Sequence, residues 1–249
     1  MTQVKLEVND VVKRPALSEV LDIVRTNVAR PAVARKSSKR DLGTAYIVQE
    51  QCQKLCLSLF YREHAPIKRL GLTSALAGEG KSFLSVVSAG MLAQNDTVPV
   101  TLIECNWEHP TLHEYFGIPG TPGVAEWLRG ECTRADISHQ VGPNLTVMVA
   151  GNGQRASVRL LRALREKWMP GSDDSPEGLM ILELPPVVSS SYGATAASLA
   201  EAIVLVVRAG VTPEQYVSEA CVQLADAPLA GVLLNQMDSK IPQWIRQLL

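Results

Sequence analysis

The sequence predicts an α/β fold, a doubly wound and mostly parallel sheet with helices on both faces. Three observations carry this expectation. Strand-length runs of Val, Ile and Leu recur without polar alternation, as strands buried on both faces require. Segments with helical apolar spacing separate them. A glycine-rich loop joins the first of these strands to the helix that follows it.

Taken in order, residues 45–63 read as a helix with Val48, Cys52, Leu55 and Leu59 on one stripe. A strand at 67–75 runs into the loop LAGEGKS (76–82), and a helix follows at 82–95. Strands are predicted at 98–104 and 144–151, with a short helix at 123–130 between them. An amphipathic helix at 155–168 precedes strands at 178–184, 202–207 and 229–235, and a helix at 212–226 separates the last two. The stretches GIPGTPG (117–123) and PGSDDSPEG (170–178) read as surface loops, because Gly, Pro and acidic residues interrupt both periodicities. There is no internal repeat.

Composition narrows the function classes. Of the 249 residues 46% are apolar and only 5% aromatic, which argues against a stacking platform for single-stranded nucleic acid. The net charge of −1 gives no general pull toward nucleic acid or acidic lipid. Residues 1–40 hold nine Lys/Arg against four Asp/Glu, so the rest of the chain stands at −6. The stretch 25–40 reads either as a solvated leader or as a segment that meets an anionic membrane or an acidic partner. The domain reading is a basic extension over 1–44 and a nucleotide-binding domain over 45–249. Five scattered cysteines suggest reduced thiols in a cytoplasm, and Cys52 and Cys56 lack the second pair that a zinc site needs. No apolar run approaches the roughly 20 residues of a membrane span.

The loop ALAGEGKSF (75–83) carries the chemistry. Between a strand and a helix, backbone N–H groups and the helix N-terminus converge on phosphate oxygens. Gly78 and Gly80 let the chain turn, Glu79 and Phe83 complete the loop, Lys81 reaches toward the outer phosphates, and the Ser82 hydroxyl suits Mg²⁺. Ala75 stands where the strict phosphate-loop pattern has its first glycine. Phosphoryl transfer also needs carboxylates, which a doubly wound sheet delivers from strand ends. Glu104 and Glu183 both close apolar strands, Glu183 just before two prolines. Each is either a site carboxylate or a glutamate that clears the sheet edge into solvent.

The segments TSALAGEGKSFLSVVSAGMLAQ, TLIECNWEHPTLHEYFGIPGTPGVAEWLRGE, MILELPPVVSS, VVRAGVTPEQ and GVLLNQ together resemble the bacterial tyrosine kinases (BY-kinases) of capsule and exopolysaccharide synthesis. That family lies in the MinD/ParA-type branch of P-loop NTPases, and the resemblance spans about residues 45–240. It implies an ATP or ADP site at Gly78 to Ser82, with Asn235 near the base. It also implies Lys81 and an acid at 104 in catalysis, and Mg²⁺ held by Ser82, Glu104 and Glu183. A membrane polysaccharide co-polymerase or another export component is the implied partner at the inner face of the plasma membrane. A homo-oligomer is the family's assembly, and no nucleic acid is expected.

The departures are equally specific. The family's Asp-x-Asp stands here as Glu104 and Asn106, and its aspartate before Pro-Pro as Glu183. An extra methylene moves a carboxylate by roughly 1.5 Å, which octahedral Mg²⁺ tolerates poorly. The family's assembly motif E-x-x-R-x-x-R appears as Glu50, Gln53 and Cys56, and no tyrosine follows Tyr216. The favoured expectation is a nucleotide-binding protein with weakened chemistry that regulates or scaffolds polysaccharide synthesis and export. The alternatives are an ATPase or tyrosine kinase that uses Glu104 and Glu183, and a MinD/ParA-like positioning ATPase. Against the last, Leu76 stands where that group carries an extra lysine.

Overall fold

A computed structural model describes residues 39–61, 66–95, 98–168 and 176–236. The basic stretch up to residue 38, the chain from 237 onward and most of the acidic 170–178 loop lie outside these residues. The elements run α1 (Lys39–Phe60), β1 (Arg69–Ser74), α2 (Lys81–Asn95), β2 (Val100–Glu104), α3 (Leu112–Phe116), α4 (Val124–Leu128), β3 (His139–Gly142) and β4 (Leu145–Met148). They continue with α5 (Ser157–Lys167), β5 (Leu179–Glu183), α6 (Gly193–Ala196), β6 (Ala202–Arg208), α7 (Glu214–Gln223) and β7 (Leu229–Asn235).

One seven-stranded sheet results, in the order β3-β4-β2-β5-β1-β6-β7. All neighbours are parallel except β3 and β4. Strict residue alternation sends each strand's side chains to two separate cores. Leu70, Leu72, Val100, Leu102, Ile181, Val204 and Val206 join α1, α2 and α3 on one face. Ile103, Met180, Leu182, Ile203, Leu205 and Val207 join α4 to α7 on the other. The predicted stripe Val48, Cys52, Leu55 and Leu59 is the buried face of α1. The inner strands β1, β2, β5 and β6 are thus buried on both sides, which is why their sequences read as continuous runs.

The differences from expectation are local. Helix α1 begins at Lys39, six residues before the apolar pattern sets in at 45, so residues 39–44 of the expected extension are helical. Strand β3 and the short helices α3 and α6 went unpredicted, being too brief to show a period. Strand 229–235 ends where expected. Among the described residues no helix is long and apolar enough to cross a membrane.

The same alternation aims the two strand-end glutamates. Glu104 follows Val100 and Leu102, and Glu183 follows Ile181, so both carboxylates point to the face that carries α2 and α3. They are also register partners on adjacent strands.

Candidate nucleotide site

The loop between β1 and α2 is built as its glycines require. Gly78 and Gly80 have φ of +83° and +93°, a region that side chains rarely adopt. A Cβ on Gly78 would meet open space, whereas one on Gly80 would collide with the Asn235 amide. The base of the loop is fixed by the segment after β5. Val187 and Val188 donate their N–H groups to the carbonyls of Ser74 (2.7 Å) and Ala75 (3.0 Å). The Thr73 hydroxyl donates to the Pro185 carbonyl at 2.7 Å. The two prolines therefore end β5 and start a strap beneath the loop.

Glu183 is fully buried. Its Oε1 accepts from Lys81 Nζ in an ion pair and from the Ser82 hydroxyl at 2.8 Å. Its Oε2 is buried with no hydrogen-bond partner, and so is Asn106 Oδ1, whose amide Nδ2 donates to the His109 carbonyl at 3.1 Å. The unpartnered Glu183 oxygen, on a carboxylate that already meets the Ser82 hydroxyl, suits a hard cation. Among the described residues no three His, Cys, Asp or Glu side chains gather as a metal cage. A Mg²⁺ here would therefore rest on Ser82, Glu183 and the nucleotide's own phosphate oxygens, where it would neutralise phosphate charge.

Glu104 is arranged differently. Its Oε1 accepts the N–H groups of Thr111 and Leu112 (2.9 Å), at the start of α3. Its Oε2 accepts the Ala150 N–H at 3.0 Å, just past β4. Both oxygens are occupied by backbone donors, and the residue has no exposure. Burial pushes its carboxyl up to about 7, the nearby Glu183 charge adds to this, and the three N–H groups oppose it. A carboxyl raised in this way binds its proton more tightly folded than unfolded. Its contribution to stability is full below its ordinary value near 4.5 and is lost as pH rises through about 7. We expect the urea midpoint of the wild type to fall between pH 5 and 8 relative to Glu104→Gln, whose profile is flatter. Parallel profiles would contradict the assignment.

Of the remaining predicted residues, Asn235 donates Nδ2 to the Glu79 carbonyl at 2.9 Å and so supports the loop backbone. Phe83 is half-buried in the first turn of α2 and packs on the apolar cluster of that face. The loop, Lys81, Ser82 and Glu183 come together, while Glu104 is drawn off toward α3. Glu50 pairs with Lys54 along α1 at 2.7 Å, and Cys56 is buried in the core.

Sequence reasoning missed several supports. Glu126 is buried and accepts the N–H groups of Gly123 (2.8 Å) and Asn152 (3.1 Å), tying α4 to the chain after β4. Trp107 stacks on Tyr192, whose hydroxyl accepts the Trp107 N–H at 2.7 Å and donates to the Cys105 carbonyl at 3.1 Å. Nothing in the sequence pairs residues 85 apart.

No protein-family model matches the chain. It is 29% identical over 170 residues to EpsB of Ralstonia solanacearum, provisionally named a tyrosine-protein kinase, covering 67% of this chain and 22% of that protein. The tyrosine-protein kinase CpsD of Streptococcus agalactiae is 28% identical over 178 residues, covering 70% of this chain and 77% of CpsD. The chain thus spans about a fifth of the length of the Ralstonia relative. The kinase domain of the Escherichia coli tyrosine kinase ETK superposes with a TM-score of 0.68 at 22% identity, over 86% of this chain and 87% of that one. An ATP complex of Cyanothece McdA superposes with a TM-score of 0.52 at 17% identity, over 67% and 68%. The relatives are proteins named bacterial tyrosine kinases, and the fold is that of P-loop proteins of the BY-kinase and ParA/MinD type.

Proposed function

We propose that this chain binds ATP or ADP at residues 78–82, with Mg²⁺, and acts without efficient phosphoryl transfer. Its role is that of a regulatory or scaffolding partner in bacterial exopolysaccharide or capsule synthesis and export. The observation that carries this reading is Glu104, whose carboxylate is spent on three backbone N–H groups. A group so engaged is poorly placed to take a proton from a nucleophile or to enter a metal shell. Asn106 is a neutral amide two residues on, and of the two strand-end acids only Glu183 keeps an oxygen free. The loop supplies phosphate contacts through its N–H groups and Lys81, so binding and chemistry are separable here.

The resemblance in motif order supports a membrane polysaccharide co-polymerase, or another export component, as the partner. It also supports a cytoplasmic location at the inner membrane face. A second reading, an ATPase or tyrosine kinase that works through Glu183, is favoured by the contact of that carboxylate with both Lys81 and Ser82.

Titration of a fluorescent ADP analogue separates binding from its absence. We expect saturable, Mg²⁺-dependent binding that weakens at least tenfold in Lys81→Ala. Glu183→Gln is expected to lose much of the Mg²⁺ dependence, because it removes the charge from the one buried acid, among the described residues, with an unpartnered oxygen. Binding that ignores both substitutions would overturn the site assignment.

A further inference from the structure

Glu79 lies inside the phosphate loop between the two glycines of positive φ, yet it is only 2% exposed. Its Oε2 accepts the Leu76 N–H at 2.7 Å, within the loop. Its Oε1 accepts the Arg208 N–H at 3.2 Å, at the end of β6, and the Thr212 hydroxyl, in the turn that leads to α7. The carbonyl of the same residue accepts Asn235 Nδ2 from the end of β7. One residue of the loop therefore holds the ends of two strands and the turn that opens α7.

Three donors converge on this carboxylate, and an ionised carboxylate is the side chain that can only accept. A glutamine of the same shape would turn its NH₂ against the N–H of either Leu76 or Arg208. The turn that it holds carries Val211, 59% exposed, and α7 beyond it carries Val222, 75% exposed. A loop whose backbone closes on phosphate moves the Glu79 side chain with it, because flanking glycines make the backbone at 78–80 the compliant part.

We infer that Glu79 is a positioning residue that couples the phosphate loop to the Arg208–Thr212 turn. Nucleotide occupancy then changes the order of that turn and its exposed Val211, and the turn in return sets how well the loop is formed. Such coupling is reciprocal by linkage. This rests on the nucleotide-binding reading above, and it gives the site a way to display its state on the surface beside α7.

Hydrogen exchange read by mass spectrometry tests it on the full chain, for wild type, Glu79→Gln and Thr212→Val, without nucleotide and with ADP and Mg²⁺. Calorimetry of ADP binding is run in parallel. Without nucleotide, Thr212→Val is expected to speed exchange about 5- to 30-fold both at 208–212 and at 76–80, the scale of one lost buried hydrogen bond. Glu79→Gln is expected to do the same, with β2 and β4 unchanged in either variant. In the wild type ADP slows exchange at 208–212, and by less in both variants. The coupling is overturned if Thr212→Val leaves 76–80 at wild-type rates, or if ADP binds and 208–212 does not respond. Failure of ADP to bind would overturn the nucleotide reading instead, and the nucleotide-free comparison would still decide the coupling.

Discussion

Lys81→Ala is expected to lower the stability of the nucleotide-free protein by about 3–5 kcal/mol, before any effect on nucleotide binding. Lys81 is 6% exposed and its ammonium is the only cation paired with Glu183 among the described residues. Removing it leaves a fully buried carboxylate with one hydroxyl partner, Ser82. Removing the acid as well should recover much of the loss, since replacing both members of a buried pair by neutral groups costs far less than breaking it. Urea unfolding of Lys81→Ala, Glu183→Gln and the double variant measures this as a cycle. A Lys81→Ala protein as stable as wild type would show that the pair does not form in solution. This also bears on practice, because the substitution is the natural inactive control for any loop of this kind.

The second large effect is expected from Glu104→Asp, which restores the residue type of the resembling kinases at that position. Shortening the side chain by one methylene draws the carboxylate back by roughly 1.5 Å. It cannot then reach Thr111 and Leu112 on one side and Ala150 on the other. Two buried N–H groups left without partners cost about 1–3 kcal/mol each, so a loss of about 2–6 kcal/mol is expected. Activity is not expected to return, because Asn106 stays neutral and Glu183 stays paired with Lys81. A thermally unaffected Glu104→Asp that gains Mg²⁺-dependent phosphate release would refute the structural role given to Glu104.

These two residues also show what was legible in the sequence. Continuous apolar runs placed Glu104 and Glu183 at strand ends, and the structure makes those strands neighbours with the two glutamates as register partners on one face. The two carboxylates then differ in how far their partners were legible. Glu183 meets Lys81 and Ser82 because α2 begins directly after the loop, a relation that the motif already encodes. Glu104 meets N–H groups at 111, 112 and 150, brought there by a short helix and a strand end with no periodic signature. Glu79 repeats the lesson, since its partners at 208 and 212 lie 129 and 133 residues away. Long strands and helices announce themselves by period, whereas the hydrogen bonds that decide chemistry are made between distant loops. The same reason hid β3, α3 and α6. The inward position of Cys56 on α1 is the counterexample, since it follows from the helical stripe that Cys52 and Leu59 define.

On this reading the loop still holds nucleotide while the acid at 104 has become part of the framework. A single-turnover assay with ATP labelled in the γ-phosphate and excess folded protein puts this to trial. Release of phosphate and its transfer to tyrosine are both followed, and Lys81→Ala is run at a temperature where it remains folded. Bound ATP is expected to be recovered intact, with phosphate release and tyrosine labelling no faster in wild type than in Lys81→Ala. Lys81-dependent release or tyrosine phosphorylation clearly above the variant would refute the reading and return the protein to the active enzymes.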